Sequence, residues 1–173
     1  MKSAEPRHDV RQLWPAYLDF YRDQIIERVL SLEPDQRRVA RVPSGWTPIE
    51  LLSHVLHMEQ RWFVWGFLGE QVDGVWGDWD TDDDPWQDDS TARWWVADDV
   101  SAETLAERLR AVGGRTSEVL ATHRPDARAA DAERFAGEPA TLEWICFHVL
   151  QEYARHAGHL DIAVELAGGS TGE

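Results

Sequence analysis

Five of the seven histidines fall in two short stretches: His54 and His57 in one, His148, His156 and His159 in the other. Imidazole ligates divalent metals and exchanges protons near neutral pH, so this clustering points to metal or acid–base chemistry. At about 100° per residue, His148, Glu152, His156 and His159 occupy less than a quarter-turn of one helix, on a face shared with Ile145 and Ala163. Imidazoles and a carboxylate aimed at an apolar core are costly unless they are paired or bind a metal. Glu152 and His156 stand one turn apart, the spacing by which helical bundles present two ligands from one helix. His54 shares its face with Leu51, Met58, Trp62 and Trp65, so it is expected to look inward and supply a third ligand. Two imidazole nitrogens and a carboxylate oxygen suit zinc and leave a position open for water or substrate; nickel or iron accept the same donors. The plainer alternative is a hydrogen-bonded core histidine beside a surface Glu–His pair worth only ~0.2–0.5 kcal/mol.

These residues need helices to carry them. Apolar positions from Val10 to Leu32 follow three-and-four spacing and predict helix one, ended by Pro34. Thr47 as N-cap, Pro48 at the first helical position and Glu50 at the third open helix two, which is expected to run to about Leu68 and stop near Gly69. Ser101 caps a third helix through Leu120, with Gly113 and Gly114 expected to weaken or kink it. Thr141 caps helix four, which stops at Gly168-Gly169. Four helices and no convincing strand predict an all-α four-helix bundle, a single domain over residues 1–173. Between helices two and three, residues 70–100 form a long excursion rich in Trp and Asp, a candidate lid over a site. Its alternating Asp78, Asp80, Asp82 and Asp84 lack the glycine and closing glutamate of an EF-hand loop, so a solvated acidic loop is expected there instead of a calcium site.

Composition narrows the function. With 32 Asp and Glu against 17 Lys and Arg, the net charge of −15 repels phosphate backbones and anionic lipid, which argues against nucleic acid as a partner. No apolar run reaches the ~20 residues that span a bilayer, and the polar N-terminus reads as no secretory signal, so a soluble cytoplasmic protein is expected. The one cysteine, Cys146, lies in an apolar helical stretch and is expected to be a buried small hydrophobe. Ten tryptophans bring large apolar areas that suit a core or an aromatic-walled pocket. They also leave apolar surface for pairing into a homodimer.

Three stretches carry a family resemblance: PSGWTPIELLSHVLHMEQRWFVWGF in helix two, the Trp- and Asp-rich excursion, and QEYARHAGHLDIAVELAGGSTGE at the C-terminus. Through them the whole chain resembles the DinB/YfiT-like superfamily of metal-binding four-helix bundles, in the branch found mainly in mycothiol-producing bacteria. Many members carry a His-x-x-x-His-Arg-Gly-Gln type motif on the fourth helix and one histidine on the second. The match puts His156 on the second motif histidine and Glu152 on the first, a replacement shared with mycothiol-dependent maleylpyruvate isomerases, whose zinc is held by His, Glu and His. The helix-two ligand falls on His54, with His57 as the alternative.

The resemblance implies a low-molecular-weight thiol cosubstrate, mycothiol or bacillithiol, transferred to an electrophilic small molecule or used to isomerise one. The isomerases carry a further C-terminal domain, and this chain ends just after helix four, so S-transfer is the expected activity. Helical phase offers His159 and His148 as a general base or as outer hydrogen-bond partners of the ligands. Arg155 and Arg61 are candidates to hold the thiol cosubstrate, with Trp62 beside them as an aromatic wall. The rival from another class is a metal- or small-molecule-binding protein without turnover.

Overall fold

Three of the four long helices begin where a side-chain oxygen caps the free backbone N–H groups. The N–H of Glu50 donates to Thr47 Oγ1 at 3.4 Å while the N–H of Thr47 donates to Glu50 Oε2 at 2.7 Å, a complete capping box. Ser101 and Thr141 accept in the same way from Thr104 and Trp144. The computed structural model describes residues 10–75, 94–130 and 138–169. Within them run α1 (Val10–Ser31), α2 (Pro48–Gln60), α3 (Ala102–Thr122) and α4 (Leu142–Leu166). The described residues contain no strand; an isolated antiparallel bridge joins Arg128 to Thr141. No helix among them is long and apolar enough to cross a membrane. The middle of the excursion, with its alternating aspartates, lies outside the described residues.

The helices form a bundle in which α1 packs against α3 and α4, and α2 packs against the same two. Leu18, Ile25, Leu51, Val55, Leu109, Ile145, Val149 and Leu160 close its centre. At the end of α4, Gly168 takes a left-handed φ of 76°. Its N–H donates to Glu165 O and that of Gly169 to Val164 O, both at 2.9 Å, a Schellman cap. Cys146 is buried as expected, and burial pushes its thiol up to about 12.

Helix two departs from the regular helix expected to Leu68. From Arg61 to Phe67 it widens into a π-helical stretch, with the N–H of Leu68 donating to Phe63 O at 3.1 Å, five residues back. Six of its seven residues are buried, including Arg61, Trp62, Phe63 and Phe67. A wider turn keeps so continuous an apolar run against its neighbours, where a regular pitch turns part of it outward.

Helix α3 runs continuously through Gly113 and Gly114, the residues expected to weaken or kink it. A reason for glycine at 113 lies across the bundle. The carboxylate of Glu59 (α2) is fully buried and accepts from Arg22 (α1) Nε at 3.0 Å and Nη2 at 2.7 Å. It also accepts from Thr116 Oγ1 (α3) at 2.6 Å and Tyr153 OH (α4) at 2.5 Å. Arg22 further donates to Asp19. Burial opposes the Arg22 charge, but Glu59 beside it outweighs that and holds its pKa above the usual value. A Cβ at position 113 would collide with this guanidinium, whereas one at 114 would meet nothing. Gly114→Ala is therefore expected to raise stability by roughly 1 kcal/mol through helix propensity. Gly113→Ala should lower it despite the same propensity gain. Urea denaturation of both variants checks this pair, and equal midpoint shifts contradict it.

Candidate metal centre

Across the seam between α2 and α4, His54 and His156 turn their Nε2 atoms toward each other at 3.1 Å, and Glu152 Oε2 lies 3.3 Å from His156 Nε2. The three ligand atoms all lie within 4.8 Å of one another, close enough to bind one metal ion. Each comes from the element expected: His54 from the second turn of α2, Glu152 and His156 one turn apart on α4.

Whether these residues suit a metal follows from their own geometry. Donors at about 2.0–2.1 Å in a tetrahedron stand roughly 3.3 Å apart, close to the two spacings observed. Hydrogen bonding alone serves the cluster poorly. Two imidazole nitrogens and a carboxylate oxygen meet at one point, and a single N–H on His156 Nε2 cannot be donated fully to both neighbours. A cation takes lone pairs from all three. Nδ1 of His156 is buried with no hydrogen-bond partner among the described residues, so this ring's polar contacts lie on the Nε2 side. Burial is the main force that holds both imidazoles neutral, the form that ligates metals. It brings His54 down to about 2, helped by His156 and Arg61, and His156 to about 4 against the opposing pull of Glu152.

The cluster opens into a cleft of about 510 Å³. Val42, Ser44, Trp46 and Leu51 line it from the entry to α2, and Arg155, His159 and Ile162 line it from α4. Trp94, at the return of the excursion, stacks on His54 with ring centroids 3.8 Å apart and planes 18° from parallel. It meets His156 edge-on at 5.9 Å. On the other side His159 lies 5.6 Å from His156 and 6.2 Å from Trp46, centroid to centroid. Side-chain exposure is 20% for Glu152 and 8% for His156, and all three ligands line the cleft.

The remaining candidates fall in different places. Arg155 and His159 line the cleft. Arg61 is buried on the π-helical stretch, outside the cleft lining; burial lowers its pKa to about 10 while Glu152 pulls the other way. His148 and Trp62 lie together further along the seam, outside the cleft lining. Their centroids are 4.3 Å apart, and Trp144 stacks on His148 at 5.1 Å. His57 is tied to its own helix, its Nδ1–H donating to Ser53 O at 2.8 Å, and is not one of the three convergent ligands.

Sequence reasoning did not single out Trp94 or Trp46. For Trp46 there is a signal: with Leu51 it holds the N′ and N4 positions that form a hydrophobic staple around the Thr47 cap, and both residues line the cleft. For Trp94 there is none, because its place depends on the path of the excursion.

No curated protein sequence matches this chain. Among solved structures, a conserved protein from Enterococcus faecalis is similar over 95% of this chain and 100% of its own. The TM-score is 0.64 at 15% identity, a likeness that supports the helical-bundle fold. A family model described as mycothiol-S-transferase matches residues 14–169, which include every residue of the cluster and the cleft. With that match over most of its length, the chain belongs to the mycothiol-S-transferase family.

Proposed function

We propose that this protein is a metal-dependent S-transferase that joins a low-molecular-weight thiol of the mycothiol type to an electrophilic small molecule. The observation that carries this reading is the convergence of His54, Glu152 and His156 at the wall of an open cleft. Zinc is the metal best suited to the donor set. A divalent ion in this position supplies one thing, stabilisation of the cosubstrate sulfur as thiolate, its nucleophilic form.

The residues around it supply the rest. Trp94 stacked on His54 fixes that ring's orientation and walls one side of the cleft; Trp46, Val42 and Ile162 give it apolar surface for the electrophile. In this reading His159, which lies near His156 and Trp46, accepts the thiol proton. Arg155 faces the cleft from α4 and offers a cation to an anionic or polar group of either substrate. In the reaction the S–H bond is broken and a C–S bond is formed, while the leaving group departs with the electrons of the bond it gives up.

The test is a matched assay with mycothiol and a chromogenic aromatic halide, with and without protein. Thiol conjugate and halide should appear together, and only with both protein and thiol. Ligand binding without product under these conditions favours the non-catalytic binder.

A further inference from the structure

The buried carboxylate of Glu59 is fully satisfied, and its four hydrogen bonds come from three different helices. The places of Glu59 and of its partner Tyr153 along the chain bear on the metal cluster. Glu59 lies five residues after His54 on α2, and Tyr153 directly follows Glu152 on α4 and precedes His156 by three. The 2.5 Å bond from Tyr153 OH to Glu59 Oε2 therefore ties the helix that carries one ligand to the helix that carries the other two. Its partner on the same carboxylate, the 2.6 Å bond from Thr116 Oγ1 to Oε1, ties α2 to α3, which carries no ligand.

We propose that Glu59 and Tyr153 are positioning residues for the metal centre: their hydrogen bond sets the α2–α4 spacing at which His54 and His156 present their nitrogens 3.1 Å apart. This rests on the metal-site reading above and adds to it a control of geometry from within the core. A short bond between two rigid, fully buried groups resists sliding of one helix along the other. A donor cluster that spans the same seam has no local backbone to hold its register. Loosening the seam leaves each ligand in place on its own helix but changes the angle and distance between them, which a tetrahedral ion senses directly.

Two near-isosteric variants separate positioning from plain stability. Tyr153→Phe and Thr116→Val each delete one hydroxyl donor to the same carboxylate, and both keep the Arg22–Glu59 pair that balances charge in the core. Folding of each is verified by circular dichroism and urea midpoint. Zinc affinity is then measured by competition with a chromophoric chelator, and the visible spectrum is recorded with cobalt(II) in place of zinc. Tyr153→Phe is expected to weaken zinc binding about tenfold or more, the scale of losing an outer partner of a metal site. It should also alter the intensity and position of the cobalt bands. Thr116→Val is expected to stay within about twofold of wild type, with an unchanged spectrum. Equal zinc affinities in the two variants, or equal losses, overturn the positioning role while leaving the metal site standing. A wild-type chain that takes up neither zinc nor cobalt overturns the metal reading itself.

Discussion

Replacing Glu59 with alanine is expected to cost about 3–5 kcal/mol of folding stability, read as a fall in the urea midpoint. The cost comes from what is left behind. Arg22 is 5% exposed and would lose both bonds to its bidentate partner, keeping half-exposed Asp19 as its carboxylate partner among the described residues. The hydroxyls of Thr116 and Tyr153 would lose their acceptor in the fully closed centre of the bundle. Removing both charges at once should be far milder. The double variant Arg22→Met with Glu59→Leu replaces the pair by apolar volume, and buried ion pairs exchanged in this way are often neutral for stability. A single-variant loss below ~1 kcal/mol would show that the carboxylate is not held in the core as described.

The second large effect concerns activity. His156→Ala is expected to lower the rate of thiol transfer at pH 7 by a factor of about 30 or more while the bundle remains folded. That figure follows from thiolate supply: a free thiol with a pKa near 8.5 is only about 3% ionised at pH 7, and the lost ligand removes the means of raising that fraction. The same reasoning fixes the pH dependence. As pH rises through 8.5 the free thiol ionises by itself, so the ratio of wild-type to variant rates should shrink toward pH 9 and be largest near pH 7. Rates for both proteins across this range, measured with saturating thiol, test the point. A ratio that does not change with pH contradicts thiolate supply as the role of the centre.

How much of this was legible in the sequence depended on range. The helix starts at Thr47, Ser101 and Thr141 and the stop at Gly168 rest on contacts within five residues, and the structure has each where the sequence placed it. Glu152 and His156 share a helix, so their pairing needed only helical phase. His54 required a face argument and the family pattern together. The buried ion pair was written in the sequence without being read. Arg22 falls on the Leu18–Ile25–Val29 stripe of α1, and Glu59 on the Leu52–Val55 stripe of α2; an ion in core phase demands a partner. Which partner it finds is a property of packing, set over 37 residues of chain. Gly113 depends on range in the same way: within its own helix it is a weak point, and the guanidinium on α1 explains why a glycine stands there. The π-helical stretch and the stacking of Trp94 on His54 likewise arise from long-range fit.

Metal content is the most direct measurement. Untagged protein purified without chelator, analysed by plasma mass spectrometry alongside Glu152→Ala and His156→Ala, should carry close to one divalent ion per wild-type chain and almost none in either variant. A wild-type chain that holds no metal, even after reconstitution with zinc and nickel, would contradict a metal centre at His54, Glu152 and His156.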